Sequence, residues 1–339
     1  MNKKIFILTS VILLVSFYLN ISFGDASIGI NKILLSLFGI DFNIPEVSKF
    51  IFYEIRLPRV IIAFIVGSIL ALSGTIMQAI FRNPLADPGL IGVSSGGAVG
   101  AILFIISANY LNAHTFMWLQ DSGMIIFPMI GAMATTFLVY KLSQSNGKTN
   151  VAVMLLTGLA INAIAGTIIG YATYFSTDDQ LRSFTFWSLG SLGRADWGLV
   201  QVLFPLTVIA IIYKISLRRE LNLMLLGERE ALYLGVNIEK TKRNLIIVTS
   251  SIVGLTVSIC GMIGFIGLIT PHICRLIFGP NHNLLLPLSG MVGGIILVNA
   301  DLVSRISIPY SELPIGIVTS LIGAPFFLYL IIKTKKVLF

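Results

Sequence analysis

Residues 59–81 read RVIIAFIVGSILALSGTIMQAIF, and the chain continues Arg82-Asn83-Pro84-Leu85-Ala86-Asp87-Pro88-Gly89. The first stretch carries one charge, Arg59, at its start. A bilayer core about 30 Å thick is crossed by roughly 20 apolar residues in a helix, so the spacing predicts a transmembrane helix over 59–81. Pro84 and Pro88 cannot continue it, and the chain must break there. A break with polar Asn83 at a membrane boundary is tolerated only where protein or a water-filled cavity covers it; the mouth of a pathway is one such place.

The same reading extends along the whole chain. Apolar spans fall near 5–23, 59–81, 89–108, 123–141, 151–175, 198–215, 243–262, 264–278, 285–304 and 314–332, which makes ten helices in one transmembrane domain over 1–339. The eighth is short and carries Pro271, His272 and Arg275. Of the 339 residues 56% are hydrophobic and 11% charged, against roughly 25% charged in a globular domain, so too few charges remain to coat a soluble surface. The net charge of +8 is scattered between apolar runs and forms no basic stripe, which argues against nucleic acid as a partner. Cys260 and Cys274 have no CxxC spacing and read as packing residues, so no metal site is expected. The span behind Lys3 and Lys4 resembles a signal peptide, but no small-x-small cleavage site follows, and it reads as a retained first helix.

An even number of spans places both termini on one side, and the Lys/Arg bias sets which side. With the N-terminus inside, the inner segments hold most of the cations, among them Arg82, Lys141, Lys148, Lys214 and Lys242. The outer segments hold few: Lys32, Lys49, Arg56, Arg59, Arg182, Arg194 and Arg305. Arg56, Arg59 and Arg305 abut helix ends and oppose the orientation rule. They are either snorkelling cations or contacts for something outside.

The longest polar interruption, about 216–243, reads as short amphipathic helices or a solvated connector. Leu225, Leu226, Ala231, Leu232 and Leu234 can form an apolar ridge, while Glu228, Arg229, Glu230, Glu239 and Lys240 face water or a partner. Gly92, Gly96 and Gly100 recur at four-residue spacing, with Gly97 beside them, and allow two helix backbones to approach in lipid.

Three stretches are more specific than composition. They are Arg56-Leu57-Pro58-Arg59 with the break at 82–89; Gly227 to Val236; and Gly264-Phe265-Ile266-Gly267-Leu268-Ile269-Thr270-Pro271-His272, continuing through Arg275 to Asp301, Arg305 and Glu312-Leu313-Pro314-Ile315-Gly316. Together with Phe186 to Leu192 and Gly323 to Phe327, they closely resemble the permease family of ABC importers for iron-siderophore complexes, haem and vitamin B12. The resemblance runs from about residue 50 to the C-terminus.

The resemblance implies an all-α, ten-helix type II importer permease in the cytoplasmic membrane of a bacterium, with both termini cytoplasmic. It implies a second permease subunit, two ATPase subunits beneath, and an extracytoplasmic substrate-binding protein above. ATP and Mg would then be held by the ATPase, with no cofactor and no catalytic residue in this chain; no G-x-x-x-x-G-K-[ST] loop occurs. Gly227, Glu228, Glu230, Ala231, Leu234 and Gly235 match the segment that couples to the ATPase. Arg56, Arg59 and Arg305 match outward arginines that meet acidic residues of the binding protein, a task that suits the guanidinium fork. Asn83 and Leu85, with the loop from Ser143 to Asn150, match a constriction at the cytoplasmic exit. The cargo implied first is a ferric siderophore, with haem or vitamin B12 as the alternative.

Two other classes are weighed against this. An ion-coupled secondary transporter would place carboxylates inside the membrane, whereas spans two to seven contain no Asp or Glu. An intramembrane enzyme would need a nucleophile and base or an HExxH sequence, and none is visible. His272 and Arg275 read as partners for carbonyls that Pro271 leaves free, and Asp301 or Glu312 as partners for Arg305.

Overall fold

A computed structural model describes residues 2–24, 45–108, 117–145 and 147–338; Lys32 and one residue of the 143–150 loop lie outside the described residues. Helix α1 spans Asn2–Ser22. Helix α2 runs unbroken over Glu46–Phe81, with a π-helical stretch at Ile51–Arg56 before the regular helix that begins at Leu57. The break follows, then a 3-10 turn at Pro88–Ile91 and α3 over Val93–Ser107. Helix α4 (Met117–Leu142) leads into a two-stranded hairpin, β1 (Gln144–Ser145) paired antiparallel with β2 (Lys148–Thr149). Helices α5 (Val151–Tyr174), α6 (Asp178–Ser188) and α7 (Trp197–Ser216) come next. The connector forms α8 (Arg218–Leu226) and α9 (Glu228–Tyr233), and the chain ends with α10 (Ile238–Cys260), α11 (Ile266–Phe278), α12 (His282–Ile306) and α13 (Ile315–Leu338).

Seven of these helices are long and apolar enough to cross a membrane, and three shorter apolar ones, α3, α11 and α13, bring the number to the ten read from the sequence. The third span is shorter than expected because Gly92, left-handed at φ 87°, separates the 3-10 turn from α3. The segment after the fifth span is a helix, α6, where the sequence reading had a loop. A reciprocal capping box between Thr177 and Gln180 starts it.

Burial sorts the spans. Helix α2 is the centre, its most apolar stretch 89% buried, whereas that of α5 is only 17% buried. A helix hydrophobic all round belongs in a core, and α2 is enclosed by α12, α11, α7 and α10. Helices α3 and α4 cross where Gly96 meets Gly131 and Thr135, and Gly100 meets the carbonyl of Phe127. This is the packing role read from the four-residue glycine spacing.

Near Pro271 the carbonyl of Leu268 accepts from Gln78 Nε2 of α2 at 3.1 Å, and Gln78 Oε1 accepts from Arg275 at 2.9 Å. Arg275 therefore serves the proline-broken helix through Gln78 rather than directly. Cys260 and Cys274 are buried free thiols, as their packing role requires.

A Cβ at Gly100 would collide with the backbone of Phe127, whereas one at Gly166 on α5 would meet nothing within 4 Å. Gly100→Ala is therefore expected to cost about 1–3 kcal/mol, and Gly166→Ala to be neutral or to gain up to about 1 kcal/mol of helix propensity. Thermal unfolding of both variants in detergent checks this ordering.

Candidate functional site

Polar chemistry concentrates at the two ends of α2. At its N-terminal end, Asp301 of α12 is fully buried. Its Oδ1 accepts from Arg59 Nε at 2.9 Å, and its Oδ2 from Arg305 Nε at 3.2 Å and Asn20 Nδ2 at 3.1 Å. Glu312, half-exposed, completes Arg59 by accepting from Nη1 at 2.7 Å and Nη2 at 2.9 Å, a bidentate pair. Asp301 is thus the partner of Arg305, and Glu312 belongs to Arg59.

The last carbonyls of α1 lack helical partners, and the arginines supply them. Arg305 Nη2 donates to the Asn20 carbonyl at 2.7 Å and Arg56 Nη1 to that of Ile21 at 2.6 Å, placing cations at the negative end of the helix dipole. Arg56, Arg59 and Arg305 are consequently only 4%, 7% and 8% exposed. Sequence reasoning had placed them at the surface. What it missed is Asn20, whose signal was a lone amide near the end of an otherwise apolar span.

A cavity of about 770 Å³ opens beside Glu312, lined by Asp179, Arg182, Phe186, Trp187 and Arg194 among others. Arg182 lies 5.7 Å from the centre of the Phe186 ring. Arg182, read from the sequence as one of the few outer cations, therefore faces a cavity.

At the C-terminal end of α2, Arg82 takes the left-handed conformation (φ 48°) that ends the helix. Asn83 Oδ1 accepts from Leu85 N at 2.9 Å, and Asp87 Oδ1 from Gly89 N at 2.8 Å, so side chains stand in for the missing helical bonds across the break. Leu85 is 36% exposed. Ser143 is buried; its hydroxyl donates to Tyr140 O at 2.7 Å, and its carbonyl accepts from Asn150 N at 3.1 Å, closing the hairpin. Asn83 and Ser143 thus each bond within their own segment at the same end of the bundle.

The connector ridge differs from the expected one. Ala231 is buried as expected, but its companions are Met224, Val236 and Ile238. Leu225, Leu226, Leu232 and Leu234 point outward instead, joined by Tyr233 at 88% exposure. The two short helices meet at Gly227 (φ 142°, ψ 151°), whose backbone lies outside the helical region. Helix α9 then ends in a Schellman motif, with Val236 N donating to Ala231 O and Gly235 N to Leu232 O, both at 3.0 Å, and Gly235 at φ 85°. Of the expected water-facing charges, Glu228 turns inward to Lys242 at 2.9 Å, Glu239 accepts from Thr149 N at 2.9 Å, and Glu230 folds back over Gly227.

Lys214 is a further residue the sequence reading passed over as an orientation charge. It is buried within α7 and donates to Ser73 Oγ of α2 at 2.8 Å. Its stem length and its place in the last turn of α7 were the only signals.

Removing one member of a buried pair strands the other. Asp301→Asn is expected to cost about 3–5 kcal/mol, and Glu312→Gln, half-exposed, no more than about 1 kcal/mol. Burial alone would raise the Glu312 carboxyl, but the hydrogen bonds and charge of Arg59, with Arg305 behind, hold it below the ordinary glutamate range. Its contribution is present above that range and lost as pH falls through the depressed value. Unfolding midpoints of the parent and Glu312→Gln should therefore keep a constant gap from pH 7 to 5 and converge only in stronger acid.

The chain matches the FecCD transport family over residues 12–333. It is 43% identical over 286 residues to the hemin transport system permease HmuU of Yersinia pestis, covering 84% of each chain. It is 40% identical over 292 residues to the cobalamin import system permease BtuC of Halobacterium salinarum, covering 86% of this chain and 76% of that protein. A solved structure described as an inward-facing conformation of a metal-chelate type ABC transporter superposes with a TM-score of 0.84 at 31% identity, over 98% of this chain and 99% of that one. A match over nearly the whole length, with ten apolar helices among the described residues, shows that this multi-pass membrane permease belongs to the FecCD transport family.

Proposed function

We propose that this chain forms, with a second permease subunit, the pathway by which an ABC importer takes up a metal chelate, a ferric siderophore in the first reading. The observation that carries the energy-coupling part is the connector surface: Leu225, Leu226, Leu232, Tyr233 and Leu234 are all more than half exposed on two short helices outside the spans. An apolar group of this kind on a soluble-facing connector marks a protein contact, and two ATPase subunits holding ATP and Mg are its occupants. The connector end is then cytoplasmic, as are both termini, and the break at Asn83 and Leu85 with the Ser143 hairpin lies at the exit.

The opposite end faces the substrate-binding protein. Arg56, Arg59 and Arg305, two of them paired with Asp301 and Glu312, are the arginines that the family resemblance assigns to that contact. The lipid-sized apolar face of α5, with Leu156 and Leu159 both 68% exposed, is the surface offered to the second permease subunit. Haem or vitamin B12 stands as the second reading of the cargo, favoured by the hemin and cobalamin permeases among the relatives.

Proteoliposomes holding this permease, its ATPase and its binding protein test the proposal. ATP hydrolysis and uptake are expected only with the ATPase present, and a ferric siderophore should compete uptake better than hemin or cyanocobalamin. Gly235→Trp, which puts a side chain at a left-handed position, should leave insertion intact and lower uptake about tenfold or more through weakened ATPase attachment. Uptake driven by an ion gradient without ATP would overturn the importer reading, and hemin as the best competitor would move the cargo to the second reading.

A further inference from the structure

A second polar cavity lies away from the arginine network and from the break at 82–89. It measures about 390 Å³ and is walled by the end of α7, by α8, by the turn after α9 and by the start of α10. That size falls within the roughly 300–1,000 Å³ of small-ligand pockets. Its charges do not pair with one another. Glu220 of α8 lines it, and Glu220 Oε2 is buried with no hydrogen-bond partner among the described residues. Arg219 and Lys240 line the same cavity, yet neither forms an ion pair with any carboxylate among the described residues. A buried carboxylate oxygen without a donor is costly, and a cationic donor offsets that cost best.

The ends of two helices set where each charge of a ligand belongs. Leu217, the C-cap residue of α7, and Asn237, the N-cap residue of α10, both line the cavity. The end of α7 favours a cation and the start of α10 an anion. Glu220 follows Leu217 by three residues, and Lys240 stands in the first turn after Asn237. Thr241 and Asn244, which share a face of α10 with Asn237 and Lys240 at three- and four-residue spacing, add neutral polar groups to the same wall. The cavity therefore suits a zwitterion that joins an ammonium to a phosphate.

The outer face of α7 shows how such a group arrives. Val202, Leu206 and Ile209 are exposed and recur with Tyr213 at three- and four-residue spacing, which makes one apolar stripe along the span. The stripe ends at Tyr213, which lines the cavity, and tyrosine is a residue of the membrane–water boundary. An acyl chain lying on the stripe brings its headgroup to the cavity, and basic pockets between spans are places where lipid headgroups bind.

We propose that the cavity between α7, α8 and α10 holds the headgroup of a phospholipid that carries a primary ammonium beside its phosphate. Glu220 takes the ammonium, Arg219 and Lys240 the phosphate, and the α7 stripe an acyl chain. The inference depends neither on the cargo nor on what covers the exposed face of the connector. A choline headgroup has no N–H to give Glu220 Oε2, and a glycerol headgroup has no cation, so phosphatidylethanolamine is preferred to both.

The test titrates the full-length permease, stripped of lipid in mild detergent, with phosphatidylethanolamine, phosphatidylcholine, phosphatidylglycerol or soluble glycerophosphoethanolamine, and counts bound molecules by native mass spectrometry. The parent should bind phosphatidylethanolamine about tenfold more tightly than the other two lipids, the size of one charge-assisted hydrogen bond. Glu220→Gln should abolish that preference and leave phosphatidylglycerol unchanged, whereas Glu220→Asp should keep it. Arg219→Gln with Lys240→Gln should weaken all three lipids about tenfold. The soluble headgroup should bind far more weakly than the lipid, and the lipid should stay bound when the ATPase assembles with the permease.

Equal affinity for the three lipids in the parent overturns the proposal, as does a preference that survives Glu220→Gln. If Glu220→Gln fails to insert, the exposed pair decides: unchanged lipid affinity in Arg219→Gln with Lys240→Gln overturns it as well. Soluble glycerophosphoethanolamine that binds as tightly as the lipid assigns the cavity to a free solute, and expulsion of the lipid by the ATPase assigns it to a protein contact; either result overturns the lipid site.

Discussion

Gly67 of α2 and Gly293 of α12 meet backbone against backbone, each occupying the space where the other would need a Cβ. Within a bilayer there is no hydrophobic gain from pressing two apolar helices together, so close packing and interhelical hydrogen bonds have to do it. Ser68 supplies one such bond by donating to the Gly290 carbonyl at 2.9 Å, and Gly294 receives the ring of Phe64. The pair forms a bar through the middle of the protein, with the arginine network at one end and the break at 82–89 at the other.

The two ends solve the problem of charge near a membrane in opposite ways. At the arginine end, three guanidinium groups, two carboxylates, Asn20 and the last carbonyls of α1 satisfy one another in a single closed network. Such a network has many shared partners, so its members do not come apart singly. At the connector end the polar contacts are separate single links, Arg82 to Met224, Asn222 to Asn281, Glu228 to Lys242 and Glu239 to Thr149.

Hydropathy and proline spacing made most of the fold legible, because a span of roughly 20 apolar residues has few alternatives. The break at 82–89 was equally plain, since Pro84 and Pro88 exclude a helix whatever surrounds them. The site was legible by residue type but not by direction. Arg59 and Arg305 stood out as cations on the disfavoured side, yet nothing in their spacing says that Asp301, 242 residues beyond Arg59, lies between them. The connector failed for a different reason. At 3.6 residues per turn Leu225 and Leu234 lie on opposite sides of a helix, so the leucines could not share one inward face, and the buried positions fall to Met224, Ala231, Val236 and Ile238.

With the leucines inward, the apolar side chains of the connector would already be covered. With them outward, the buried cluster around Ala231 and Met224 keeps the two short helices folded, while the larger apolar residues stand open to a partner. Gly227 separates α8, which bonds to α2 and α12, from α9, which pairs with α10, while the cluster packs the two short helices against each other.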